Sequence, residues 1–550
     1  MLFNSYPFLF VFLPLTFIGT FWIGAYSHKL AILWLGAASL VFYGFWDSPF
    51  VLLLLGSIGG NYYFGRWLEA CRKTASGGNA SDAYVGRILF VAISINLLVL
   101  GYFKYSNFFI GAFVEAFGNK FVPFDIILPL GISFFTFTQI GFLVDVSRGL
   151  TAEASLGRYL LFVTYFPHLI AGPLLHHKQI MPQLLKPDVF RFNAQNISVG
   201  LTIFVLALAK KIFLADSLSE IVEPIFNSAS QGKEPMLVEA WVGSLAYALQ
   251  LYFDFSAYSE MAIGLSLIFN VRLPLNFNSP FKARNVIEFW QRWHMSLTKY
   301  IYEYLYTPIT MRFMRVGLGK APFVENIYTV ILPTMITFLI IGLWHGANWT
   351  YLAFGALHGF YMIINYRWQS LKKKKRWKPQ GALYTLFCCA LTYVAVVVAL
   401  VFFRAESVGT ALTMLKGMAG LNGLSLPLTV QPVFGWLPFN AFSNSIVFQG
   451  LMPNETLAMN PLTAVVLILL GQAIVWGLPN MHQLMCRFET VTEDLNQTKS
   501  TQQRASLTAT SSRFSWRLNS ANAIMIGLLF VVLIIAMATN KPSTFLYYQF

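Results

Sequence analysis

Two histidines in apolar, aromatic surroundings are the residues of this sequence best suited to chemistry. His345 closes the apolar run 328–344 within Trp344-His345-Gly346-Ala347-Asn348-Trp349, and His294 follows Phe289-Trp290-Gln291-Arg292-Trp293. An ionisable side chain at membrane depth is costly and rare, so its presence there points to function. A neutral imidazole at position 345 can take a proton from a hydroxyl as a general base. Gly346 beside it lets the chain turn and lets a ligand approach the backbone. The competing reading of His345 is a helix-end histidine satisfied by a backbone carbonyl. His294 reads either as a second catalytic group or as an interfacial histidine, where the ring tip stays wet at little cost.

Other polar groups surround this pair in the sequence. Gln250, Asp254 and Tyr258 recur every four residues and so share one helix face. Asp254 would orient a histidine, line a cavity, or bond a neighbouring helix. Asn278, Trp293, Trp344 and Asn348 complete the candidate lining and supporting set. His358 lies between Gly355 and Gly359, a small-xxx-small pair that favours tight helix packing, and reads as structural. His176 and His177 follow the Gly172-Pro173 break beside Lys178, where they would cap a helix or face solvent. No H-E-x-x-H, P-loop or G-x-S-x-G pattern is present. Neither a metal site nor a tightly bound cofactor is expected.

These residues must be positioned by membrane helices. Of 550 residues, 56% are apolar and 11% charged, against roughly 25% charged in soluble domains. That composition excludes an ordinary soluble enzyme. The net charge of +15 comes without a basic face carrying polar readout residues, which argues against nucleic acid. Juxtamembrane lysines and arginines account for it. The four cysteines (Cys71, Cys388, Cys389, Cys486) have neither zinc-site spacing nor a disulfide pattern. Runs long enough to span, about 17–25 residues each, fall near 7–26, 29–46, 48–65, 86–106, 196–214, 239–254, 328–344, 349–367, 383–403, 461–478 and 521–538. The first lacks a basic flank and a cleavage site and reads as a retained helix. Segments 122–146 and 158–175 are apolar but broken by Pro123, Pro129, Gly131, Pro167, Gly172 and Pro173, as discontinuous or re-entrant helices are. The expected architecture is a single all-α polytopic membrane domain over 1–550, with about 11–13 membrane segments by the length criterion.

Orientation follows from the basic loops. Arg66, Arg72, Lys73 and Arg87, and the run Lys372–Arg376 with Lys378, are expected on the cytoplasmic side. Counting outward from either puts both termini, the 404–460 loop and the 539–550 tail outside, and the polar 479–520 segment inside. Residues 274–327 interleave Lys282, Arg284, Glu288, Arg292, Lys299, Glu303, Arg312 and Arg315 with aromatic residues, which suits amphipathic helices on the cytoplasmic membrane surface. Residues 328–367 carry His345.

At Leu128-Pro-Leu-Gly-Ile-Ser-Phe-Phe-Thr-Phe, Phe166-Pro-His-Leu-Ile-Ala-Gly-Pro, Tyr252-Phe-Asp-Phe-Ser-Ala-Tyr-Ser-Glu-Met-Ala-Ile-Gly, Phe289-Trp-Gln-Arg-Trp-His-Met-Ser-Leu and Trp344-His-Gly-Ala-Asn-Trp, the chain resembles the membrane-bound O-acyltransferase family. It is most like the bacterial branch that serves alginate O-acetylation and teichoic acid D-alanylation. Five motifs in the family's order make the resemblance specific over most of the chain. It implies a ring of helices around a central funnel, with His345 as the essential channel histidine and general base and His294 as the second histidine. Relatives often carry Arg-Asp before Tyr-Leu-Tyr, whereas Tyr302-Glu303 stand before Tyr304-Leu-Tyr306 here, which puts any donor contact of that arginine in doubt. Phe545-Leu-Tyr547-Tyr548-Gln-Phe550 resembles a tail in which a tyrosine is a candidate acyl relay; Tyr547 is otherwise an aromatic membrane-belt residue.

The resemblance implies transfer of an acetyl group from a cytoplasmic thioester, acetyl-CoA, across a bacterial inner membrane for O-acetylation of an exported polysaccharide such as alginate. A separate extracytoplasmic polysaccharide acetyltransferase would finish the transfer and dock on the 404–460 loop, which is long for a connection. The polysaccharide would be met only indirectly, and membrane lipid surrounds the chain. Two alternatives stay open: D-alanyl transfer to teichoic acid, and a non-enzymatic polysaccharide or lipid-intermediate transporter, in which an intramembrane histidine and aspartate would line a pathway.

Overall fold

The computed structural model describes all residues except 47, 77–81, 378, 380, 427–445, 448, 451–459, 493–514, 540–544 and 547–550. Each of the apolar runs listed above lies on a helix. Among the described residues, six helices are long and apolar enough to cross a membrane: Phe8–Tyr26, Asp82–Ala116, Ala194–Ser230, Pro322–His345, Ala382–Arg404 and Ser520–Thr539. Three shorter apolar helices, His28–Gly44, Ile132–Ser147 and Pro461–Gly477, accompany them. The outer helices present large apolar side chains: Leu52, Phe90 and Leu98 are more than 70% exposed. A surface like that would be an aggregation liability in water and is suited to lipid.

The helix Leu237–Ile268 is the core of the molecule. Residues 246–268 are all buried, as expected of a helix enclosed on every side. It packs along Ala194–Ala209, and the two backbones touch where Gly200 and Gly264 meet; a Cβ on either glycine would stand 2.6 Å from the other's carbonyl oxygen. Asn270, with φ +59, ends this helix in the left-handed region, and its amide donates to the carbonyls of Val189 and Arg191. Asparagine tolerates that conformation better than most residues.

The broken segments are broken in the structure too. Ile132–Ser147 begins only after Gly131, whose φ is +71. Leu156–Thr164 ends before the turns around Pro167 and Pro173. Residues 274–327 form a chain of short helices, among them Val286–Trp290, Met295–Ile301, Thr307–Gly317 and Pro322–Asn326. The 479–520 segment is tied in where Thr492 N–H donates to the Leu273 carbonyl at 3.1 Å. Within 404–460 the structure describes the helix Val408–Met418 and two short parallel strands, Leu424–Ser425 and Ile446–Val447.

The histidine-bearing helix Leu332–His345 packs tightly on Trp349–Lys374. Gly342 lies against the Tyr351 carbonyl and Gly355 against that of Phe338, and a Cβ on either glycine would collide with that backbone. The small-xxx-small reading of Gly355 and Gly359 therefore describes this contact. Gly355→Ala is expected to destabilise the chain by about 1–3 kcal/mol through overpacking, read as a lower thermal unfolding midpoint in detergent. An unchanged midpoint would mean that the two helices can separate at no cost.

Candidate functional site

His345 is the last residue of its helix, and Gly346 leaves in an extended conformation. The imidazole is buried, with ring centroids 4.9 Å from Trp344, 5.0 Å from Phe403 and 6.0 Å from Phe354. Its Nδ1 is buried with no hydrogen-bond partner among the described residues. The carbonyl reading of the sequence therefore does not hold for Nδ1; the ring is held by aromatic packing.

His294 is held differently. It has φ +44, a left-handed conformation that is unusual for a side-chain-bearing residue, and it stands at the start of the helix Met295–Ile301. Such strain persists only where the surroundings over-determine it, and it clusters at functional sites. Here Asn276 does the determining. Its backbone carbonyl accepts from Met295 N–H at 2.9 Å, and its side-chain oxygen accepts from the Ser296 hydroxyl at 2.9 Å. Its amide nitrogen donates to Ser259 at 3.0 Å, on the buried core helix. The same side-chain oxygen lies 3.1 Å from His294 Nδ1. Because Ser296 already makes that oxygen an acceptor, His294 carries its proton on Nδ1, and Nε2 is the basic position. Burial pushes this imidazole down to about 3, so it is neutral.

Trp344 brings the pair together. Its ring is 4.9 Å from that of His345 and 6.3 Å from that of His294. Phe255 completes the wall at 4.8 Å from His294. Two buried imidazoles on one indole make an arrangement that can accept a proton from a hydroxyl.

The other candidates fall into place around it. Trp293 packs against Phe277 and Phe289. Asn278 does not reach either histidine: its side-chain oxygen accepts from Asn480 at 2.9 Å. Asn348 caps the helix Trp349–Lys374, accepting from Thr350 N–H and donating to the Glu406 carbonyl. His358 accepts from the Trp290 indole at 3.3 Å, a structural bond between helices. His176 stands at the start of the helix His177–Leu184, but both it and His177 are buried, because Tyr304 and Thr151 take their Nδ1 atoms. The solvent-facing alternative for this pair is thus excluded.

Asp254 contacts neither imidazole among its described bonds. Its Oδ1 pairs with Lys211 Nζ at 2.7 Å, both side chains being 2% exposed, and its Oδ2 accepts the Leu546 N–H at 2.9 Å. Lys211 also pairs with Asp216 and lies over the Phe545 ring. Phe545 is fully buried against Tyr258, 4.8 Å between centroids, and Tyr258 in turn stacks on Phe3 at 5.0 Å. The Asp254–Tyr258 face therefore seats the C-terminal segment and the N-terminus. Tyr547 itself lies outside the described residues.

Three residues escape the sequence reading: Asn276, Lys104 and Lys211. Lysines inside the apolar runs 86–106 and 196–214 were a signal for the last two, since each must find a partner at that depth.

Comparison with known proteins bears on the same stretch. A family model described as MBOAT, membrane-bound O-acyltransferase family, matches residues 147–403, which hold both histidines. A peptidoglycan O-acetyltransferase of Helicobacter pylori is 38% identical over 453 residues, covering 78% of this chain and 81% of that protein. A probable alginate O-acetylase of Pseudomonas putida is 37% identical over 423 residues, 76% of this chain and 80% of its own. A teichoic acid D-alanyltransferase of Bacillus subtilis is 28% identical over 278 residues, 49% of this chain and 67% of its own.

Proposed function

The chain belongs to the membrane-bound O-acyltransferase family, a multi-pass membrane acyltransferase, and we propose that it passes an acetyl group from cytoplasmic acetyl-CoA across a bacterial inner membrane toward an exported polysaccharide. The observation that carries the reading is the pair of buried histidines on Trp344, one of them with its tautomer fixed by Asn276. The relatives with the greater identity and coverage are named for O-acetylation, of peptidoglycan in one case and alginate in the other. The D-alanyl transfer protein is less similar and covers less of the chain, so acetyl is the favoured group. Membership in an acyltransferase family leaves the transporter reading without support.

In the proposed step the oxygen of an accepting hydroxyl attacks the thioester carbonyl. His345 takes the hydroxyl proton as the new C–O bond forms, the C–S bond breaks, and the proton passes to the departing coenzyme A thiolate. His294, with Nε2 as its basic position, orients the donor. The accepting hydroxyl is that of Tyr547 or of a partner. An acetyl-tyrosine would divide the transfer into two steps, and an extracytoplasmic acetyltransferase would then move the group to the polymer. Support for a tail that works from one fixed place is the seating of Phe545 and Leu546 on Tyr258 and Asp254. Phe3 and Phe545 both pack on Tyr258, in keeping with termini on one side.

The test is incubation of the purified protein with radiolabelled acetyl-CoA, comparing wild type with Tyr547→Phe. Label on the wild type that is lost in Tyr547→Phe is the expected result. Label that persists in Tyr547→Phe would remove the relay and leave direct transfer to a partner. Absence of label and of transfer even with an acceptor polymer and its acetyltransferase present would overturn acetyl-CoA as donor.

A further inference from the structure

We propose that Lys104 is a positioning residue of the acyl-transfer site, fixing the backbone that carries His345; this rests on His345 being the base assigned above. Lys104 lies within the apolar helix Asp82–Ala116, where an ammonium group is costly unless something compensates it. The compensation comes from the end of the histidine helix. Lys104 Nζ donates to the Trp344 carbonyl and reaches the His345 carbonyl at 3.4 Å, with the Trp344 ring 5.9 Å away. These are among the last carbonyls of Leu332–His345, left without helical partners where the chain turns off at Gly346. They also form the negative end of the helix dipole, where a cation is favoured.

The need for such a clamp follows from the contrast between the two histidines. A working imidazole is ordinarily oriented by a hydrogen bond on its second nitrogen. His294 has that bond, from Nδ1 to Asn276. His345 Nδ1 has none among the described residues, and aromatic rings alone confine the ring. Ring packing restrains an imidazole within its plane of contact but does not set where its Cα stands. The backbone of residues 344–345 sets that, and it ends in two carbonyls facing one ammonium. Gly346, pressed against the Tyr351 ring so closely that a Cβ would collide, limits movement on the other side. Without the Lys104 cation, the Trp344 and His345 carbonyls would lose that donor, and the helix end would be less firmly held. The indole shared by both histidines would shift with it.

The experiment compares full-length wild type, Lys104→Met and Lys104→Arg in detergent. Initial rates are measured against acetyl-CoA concentration and normalised to folded protein. A misplacement of the base on the order of 1 Å corresponds to a loss of about 10²-fold in kcat, and that is the result expected of Lys104→Met, with the KM for acetyl-CoA unchanged. Lys104→Arg, which keeps the charge and the donors, is expected to recover most of the rate. In parallel, carbethoxylation of His345 by diethyl pyrocarbonate is followed by peptide mass spectrometry. Its rate is expected to change in Lys104→Met and to return toward wild type in Lys104→Arg. Wild-type kcat and wild-type carbethoxylation in Lys104→Met would overturn the proposal. So would a loss of activity that merely tracks the fraction unfolded. If the wild type transfers no acetyl group even with an acceptor polymer and its acetyltransferase present, acetyl-CoA as donor has failed, and the carbethoxylation rates still decide whether Lys104 places His345.

Discussion

His345→Gln is expected to lower acetyl transfer by about 10²–10⁴-fold, the contribution usual for a general base, with the chain still folded. Glutamine roughly preserves the volume between Trp344, Phe354 and Phe403 while removing the basic nitrogen. His345→Ala would remove the same nitrogen but leave a cavity among those rings, so a loss of activity there would mix chemistry with packing. The pair therefore separates the two causes. Transfer from acetyl-CoA is measured with both variants, together with the thermal unfolding midpoint of each. Activity lost equally in both, with Gln unfolding like wild type, identifies the nitrogen as the cause. A His345→Gln protein that transfers acetyl within about tenfold of wild type would sink the base assignment, because such a residue contributes at least 10².

The largest expected effect on stability belongs to Asp254→Ala. Asp254 and Lys211 pair at 2.7 Å with almost no exposure. Removing one partner of such a pair leaves an uncompensated buried charge and typically costs about 3–5 kcal/mol. Asp216 remains 2.7 Å from Lys211 and is itself 27% exposed, so it offsets part of that loss. The same substitution removes the acceptor of the Leu546 N–H, so the C-terminal segment loses a bond as well as a neighbour. A double variant, Asp254→Leu with Lys211→Met, takes away both charges and is expected to recover much of the stability. Thermal unfolding in detergent of the single and double variants reads this directly. If Asp254→Ala unfolds at the wild-type temperature, the pair is not a structural tie.

Two faces of the buried core helix serve different ends. Phe255 and Ser259 of Leu237–Ile268 face His294 and its Asn276 clamp, whereas Asp254 and Tyr258 hold the tail. With 100° between successive residues, those faces stand about a third of a turn apart. A single buried rod thus supports both His294 and the segment proposed to carry the acceptor.

What the sequence by itself determined is what depends on local composition. Apolar length placed the helices, since a run of that length reads the same whatever surrounds it. Prolines and glycines at 123, 129, 131, 167, 172 and 173 marked where helices break, because those residues constrain their own backbone. The two histidines stood out because a titratable group is costly in such surroundings wherever its neighbours lie. Tertiary structure alone decided which polar group serves which histidine. Asn276 and Asn278 are the same residue type two positions apart, yet one clamps His294 and the other bonds Asn480. Of the three roles open to Asp254 in the sequence, it takes the bond to a neighbouring helix, pairing with Lys211 and also holding the tail. Lys104 meets the Trp344 carbonyl from 240 residues away. Partners so distant in the chain leave no local pattern: a buried charge announces that it needs a partner, and only the packing of the helices says which one it has.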